Sequence, residues 1–85
     1  MYERKEEITV NISEEQTIIE LSNCMQPFKS ELYIQKVVQG SVYEINLKSL
    51  LGLINLQLSN GDYISVKAIG VDADNALSKV VNYLT

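Results

Sequence analysis

Asn46-Leu47-Lys48-Ser49-Leu50-Leu51-Gly52-Leu53 is the stretch where the chain changes its periodicity. Ahead of it, Val42 to Leu47 alternates through Tyr43, Ile45 and Leu47, the period-two pattern of a half-buried strand. Beyond Ser49 the chain enters a short apolar segment, Leu50 to Leu56, bounded by the turn Ser59-Asn60-Gly61-Asp62. A strand that runs directly into a short helix through a serine is therefore the reading of this stretch.

Working outward, Leu32 to Val38 carries Leu32, Ile34 and Val37-Val38, and Gln39-Gly40-Ser41 joins it to the next strand as a hairpin turn. Further upstream Ile8, Val10 and Ile12 alternate with Thr9 and Asn11, which predicts a first strand. Ser13-Glu14-Glu15-Gln16 follows with capping-box spacing and two acids suited to the positive end of a helix. Ile18, Leu21, Met25 and Phe28 recur at helical spacing, and Pro27 disfavours helical geometry at Gln26, so this helix should end there. Downstream, Ile64, Val66 and Ala68 form a fourth alternating run. Asp72 is a good N-cap for a last helix whose inward face is Ala73, Ala76, Leu77, Val80 and Leu84. The order is β-α-β-β-α-β-α, which implies a mixed α+β fold with the helices on one face of a sheet.

The 85 residues make one domain, 1–85, with too little chain for two cores, and 46% hydrophobic residues suit a compact fold. A formal net charge of -4 argues against nucleic acid or an anionic membrane as partner. A single cysteine, Cys24, excludes an internal disulfide and fits a reducing compartment. Met1-Tyr2-Glu3-Arg4-Lys5-Glu6-Glu7 lacks the apolar core of a signal peptide and reads as a solvated, frayed leader, and no apolar run is long enough to span a membrane. A soluble cytoplasmic protein is the expectation.

Asn46-Leu47-Lys48-Ser49-Leu50-Leu51-Gly52, then Asn60-Gly61-Asp62, then Gly70-Val71-Asp72-Ala73-Asp74-Asn75-Ala76 resemble the second half of the HPr family of small phosphocarrier proteins. That half of the family has an Asn-Leu-Lys-Ser-Ile-Met-Gly segment, a turn, an alternating strand and a Gly-x-Asp-x-x-x-Ala helix start. The resemblance implies an open-faced β-sandwich, a four-stranded antiparallel sheet with three helices packed on one side. The first half departs from the family. Where HPr has Gly-[Ile/Leu]-His-x-Arg-Pro at the start of its first helix, this chain reads Asn11-Ile12-Ser13-Glu14-Glu15-Gln16-Thr17, and it contains no histidine at all. Ser13, Glu14, Glu15 and Gln16 thus form a degenerate phosphocarrier site. Phosphohistidine transfer needs an imidazole nucleophile, and the missing arginine removes a counter-charge to phosphate.

Ser49 matches the serine that HPr kinase/phosphorylase modifies in Gram-positive HPr and in Crh, the family's histidine-lacking paralogue. The resemblance makes Ser49 a regulatory phosphorylation site and Lys48, Leu50, Leu51 and Ile54 a partner-binding patch. Its implied partners are HPr kinase/phosphorylase or a transcription regulator. The plainer reading stands beside it: Ser49 caps the short helix, and the leucines belong to the core. No catalytic residue, metal or cofactor is indicated, since there is no histidine and only one thiol. Three functions stay open: a non-enzymatic regulatory module, an atypical phosphocarrier of the sugar phosphotransferase system using a carboxylate such as Glu14, and a structural domain that associates with itself as a homo-oligomer.

Overall fold

The structure is a computed structural model that describes residues 3–13, 17–56 and 58–85. The elements run β1 (Glu3–Thr9), α1 (Ile18–Met25), β2 (Glu31–Val38), β3 (Ser41–Asn46), α2 (Leu50–Leu56), β4 (Tyr63–Ile69) and α3 (Ala73–Leu84). The four strands form one sheet in the order β1-β4-β2-β3, and every neighbouring pair is antiparallel.

Alternation decides which side of the sheet is covered. Leu32 faces Ala68 and Ile34 faces Val66 across β2 and β4, Ile64 faces Ile8 of β1, and all are buried. The residues between them, such as Tyr33, Gln35, Tyr63 and Lys67, lie on the other face. α3 lies across β1, β4 and β2, α2 packs over β3, and α1 packs against both other helices. The predicted inward face of α3 is buried at all five positions. At the β2–β3 hairpin, Val38 pairs with Ser41 and the two turn residues are left-handed, Gln39 at φ 50° and Gly40 at φ 82°. This is the turn whose twist matches two-residue hairpins.

The first strand is displaced from its expected position. The charged leader, read as frayed, pairs along the whole of β4 from Glu3 with Ile69 to Thr9 with Tyr63. Five charged residues can lie in a strand here because β1 is an edge whose side chains, Ile8 apart, are exposed on both faces. Val10 and Ile12 do face inward, but backbone bonds to the 59–62 turn hold them: Val10 N–H donates to Asp62, and Gly61 N–H to Val10. The Asn60 side chain completes the clamp, accepting from Ile12 N–H at 2.7 Å and donating to Ile12 C=O at 2.9 Å.

The first helix also starts later than Ser13 predicts. Its N-cap is Thr17, whose Oγ1 accepts from Glu20 N–H at 3.0 Å. It ends as expected, with Met25 the last helical residue before Gln26 and Pro27.

Asp72 occupies the N-cap position of α3, and its carbonyl accepts from Ala76 N–H. Its side chain makes no cap bond. It reaches instead to the entry of β2, accepting from Lys29 N–H and Ser30 N–H at 2.8 Å each and from the Ser30 hydroxyl. The Ser30 hydroxyl, followed by the Lys29 amide, holds the Asp72 carboxyl below the usual carboxylate range. Asp62 is lowered as well, chiefly by the hydrogen bond from Lys36, whose Nζ lies 2.8 Å away in a largely buried ion pair. Carboxyls depressed in the folded state add stability that is complete above their unfolded pKa, about 4, and that is lost as pH falls through the folded value. The urea midpoint should therefore hold steady from neutral pH to about pH 5 and drop below about pH 4. Asp72→Asn should lower the neutral-pH midpoint and flatten its acid dependence, both read by urea titration across pH.

Gly70 makes this contact physically attainable. Its φ of 147° is a glycine conformation, and a Cβ there would lie 2.7 Å from Ser30 Oγ and 2.8 Å from Ser30 Cα. Gly70→Ala should destabilise the fold by at least about 2 kcal/mol, measured by chemical denaturation.

Candidate functional site

The segment after β3 is braced before it becomes helix. Asn46 Oδ1 accepts from Lys48 N–H at 2.8 Å, and Asn46 C=O accepts from Ser49 N–H at 3.0 Å, which turns the chain off the sheet. Leu47 is fully buried, and its N–H donates to Leu32 C=O. Ser49 is exposed and caps α2: its Oγ accepts from Gly52 N–H at 3.3 Å and its carbonyl from Leu53 N–H at 3.1 Å. Gly52 lies on the side of the helix next to β3, where a Cβ would meet Ile45 Cβ at 3.5 Å, an ordinary packing contact.

This geometry divides the apolar residues of α2. Leu53 is fully buried and anchors the helix, whereas Leu50 is 37% exposed, Leu51 71% and Ile54 52%. Positions 50, 51 and 54 fall on the outward side of the helix, so the leucines split between core and surface. Apolar side chains exposed singly need no explanation, but a group of them on one face of a helix is a candidate interaction surface.

Lys48 is placed differently from the patch. It is half-buried, and its Nζ donates to the Phe28 carbonyl. Gln26 Nε2 adds a bond to Lys48 C=O at 3.3 Å, tying the start of α2 to the exit of α1. The ammonium is thus a brace between two segments, not a charge displayed beside the leucines.

Of the degenerate phosphocarrier stretch, Ser13 is described and exposed, while Glu14, Glu15 and Gln16 lie outside the described residues. Immediately after them, Thr17 N–H donates to the Tyr83 hydroxyl at 2.9 Å, and the same hydroxyl donates to Thr17 C=O at 2.7 Å. Burial pushes the Tyr83 phenol up. The N–H groups of Thr17 and Glu20 are therefore satisfied by side chains of the protein itself. Sequence reasoning missed this role for Tyr83 because its partner is distant in the chain. Cys24 is a half-buried free thiol in α1. Among the described residues no cluster of three His, Cys, Asp or Glu could hold a metal, and no helix is long and apolar enough to cross a membrane.

The architecture defines an open-faced α+β sandwich whose second helix displays an apolar patch. The family model described as "PTS HPr component phosphorylation site" matches residues 7–85. The chain belongs to the HPr family. It is 42% identical over 53 residues to the phosphocarrier protein HPr of Mycoplasma pneumoniae, covering 62% of this chain and 57% of that protein. Against the Mycoplasma genitalium protein the identity is 42% over 60 residues, covering 71% and 65%. The matched stretch thus spans less than two thirds of the length of either relative. In three dimensions the chain resembles HPr from Bacillus anthracis str. Ames, with TM-score 0.83, 22% identity and 98% of each chain covered. It also resembles HPr-C-His from Thermoanaerobacter tengcongensis, with TM-score 0.77, 19% identity and coverage of 95% and 90%. These likenesses establish the fold that the resemblance implied.

The division of α2 gives a direct test by urea denaturation. Leu53→Ala should cost about 2–5 kcal/mol, as for other buried leucines. Leu51→Ala should stay within about 0.5 kcal/mol, as for a surface position.

Proposed function

We propose that this chain is a non-enzymatic, HPr-type regulatory module that docks onto a protein partner through Leu50, Leu51 and Ile54 and is switched by phosphorylation of Ser49. The observation that carries the reading is the pairing of a chain without histidine with an α2 that keeps Leu50, Leu51 and Ile54 in water. A phosphocarrier hands on phosphate from an imidazole nitrogen, and this chain has none to offer. The engagement of Thr17 by Tyr83 supports the same conclusion, because the N–H groups of Thr17 and Glu20 at the start of α1 are spent within the protein. Ser49 is accessible at the head of the patch, and a phosphate there would add about -1.5 to -2 charges beside Leu50 and Leu51. The partner implied by the family is HPr kinase/phosphorylase or a transcription regulator, and the compartment is the cytoplasm.

Three reactions test this reading. Incubation with enzyme I and labelled phosphoenolpyruvate should leave the protein unlabelled; stable label would overturn the proposal in favour of a carboxylate carrier. Incubation with HPr kinase and ATP should add one phosphate that Ser49→Ala abolishes, and failure with a kinase active on its own HPr removes the switch. Leu51→Glu should abolish capture of the kinase without moving the thermal midpoint. Undiminished capture would place the interface elsewhere.

A further inference from the structure

The two edges of the sheet are built differently. β1 carries Glu3, Arg4, Lys5, Glu6 and Glu7, a charge density that discourages another strand from pairing. β3, the opposite edge, reads Ser41-Val42-Tyr43-Glu44-Ile45-Asn46 and has one charge. That charge is already engaged: Gln35 Nε2 donates to the Glu44 carboxylate, and Lys67 Nζ lies 3.6 Å from it. Val42 is 63% exposed and Tyr43 52%, and neither a proline nor a lysine guards the strand.

The register shows which backbone groups are free. Val38 and Ser41 flank the two-residue turn, and Leu47 N–H donates to Leu32 C=O at 2.8 Å in the same register. Bonded and non-bonded pairs alternate along an antiparallel ladder, so Ser41, Tyr43, Ile45 and Leu47 direct their backbone groups toward β2. The N–H and C=O of Val42 and Glu44 consequently point outward along the edge. On the helix side of this edge lies an open groove of about 400 Å³ lined by Lys36, Val38, Tyr43, Ile45, Asn55 and Leu56.

We propose that β3 pairs antiparallel with β3 of a second copy of this chain, on a two-fold axis at Tyr43. The competing registers fail on the same residues. An axis at Glu44 sets two carboxylates directly opposite each other. An axis at Val42 requires Gly40, left-handed at φ 82°, to serve as a ladder residue. An axis at Ile45 draws on Asn46, whose carbonyl already accepts from Ser49 N–H. The Tyr43 axis pairs Val42 of each copy with Glu44 of the other, and each such pair exchanges two backbone bonds. It also brings the two Tyr43 rings together at the close, non-bonded position, each over the groove of the other copy. A continuous sheet then runs through both copies. The contact is one short strand per copy, smaller than the roughly 800 Å² per partner of a standard interface, so the dimer is weak and concentration-dependent.

Sedimentation equilibrium of the full chain from micromolar to millimolar concentration should show a reversible monomer–dimer equilibrium. Tyr43→Lys places two ammonium groups at the axis and should weaken it at least about tenfold, with circular dichroism and the thermal midpoint unchanged. In a Cys24→Ser background, Tyr43→Cys should give a disulfide-linked dimer on mild oxidation, because facing Cα atoms in a non-bonded pair lie about 4.5 Å apart, within disulfide reach. Leu51→Cys in the same background should not link. A chain that stays monomeric at millimolar concentration, a dimer indifferent to Tyr43→Lys, or linkage through Leu51→Cys in preference to Tyr43→Cys overturns the proposal.

Discussion

A sheet covered on one face only imposes the governing constraint on this molecule. With 85 residues there is enough chain for three helices, and they must all pack on the side where Leu32, Ile34, Ile64, Val66 and Ala68 converge. The opposite face has no second layer, so it is built from residues tolerant of water and from side-chain pairs across strands. Lys67 Nζ lies 5.2 Å from the centre of the Tyr33 ring, and Tyr63 donates to Glu7. Such pairs each contribute little, but they hold neighbouring strands in register without burying anything. The same constraint explains why β1 can be made of charged residues. Its Ile8 is the one buried side chain of the strand, and the ladder to β4 does the rest.

One-sided burial also determines how much of the fold was legible in the sequence. β2, β4 and the inward face of α3 could be read because they contact the core directly, and burial writes itself into period-two or helical spacing. β3 could be read through Ile45, which packs against the core, and Leu47, which is buried in it. β1 could not be read from its apolar residues, because its pairing is made by backbone atoms and every side chain but Ile8 is exposed. The start of α1 was mislocated for a related reason. Ser13 with Gln16 and Thr17 with Glu20 both fit a capping pattern, and the choice falls to Thr17, which Tyr83 grips from a distant point in the sequence. Asp72 shows the same limit in reverse. Its position as N-cap was legible, but the carboxylate serves Lys29 and Ser30, because Gly70 brings β4's exit against β2's entry.

The candidate site combines residues that local pattern could and could not assign. Ser49 as a cap and Leu50, Leu51 and Ile54 as apolar helix residues were plain in the sequence, while their division between core and surface was not. That division follows from Leu53, which faces the core and leaves positions 50, 51 and 54 on the outward side of the helix. Lys48 had the charge and position of a partner-binding residue, yet its ammonium found the Phe28 carbonyl first. A lysine stem can be buried while its amine serves a carbonyl, and sequence does not distinguish that from a solvated charge.

Anchoring and display on α2 are one arrangement. The helix is short, so its hold on the domain depends on Leu53, the bonds through Asn46 and Ser49, and the Lys48 brace to the end of α1. Those contacts fix the backbone that carries Leu50, Leu51 and Ile54, so a partner docking as proposed would meet a preorganised surface and forgo the cost of ordering a loop. A phosphate on Ser49 would sit outside the anchoring set, since Leu53 and Lys48 make their contacts through other atoms. The cap bond from Gly52 is the one interaction it would disturb, and phosphate oxygens are themselves acceptors for the N–H groups of the first turn. Charge at the head of the patch could thus change while the patch itself stayed in place. Under the proposed function, a docking surface that outlasts the carrier chemistry of its family would need that separation between what holds the helix and what modifies it.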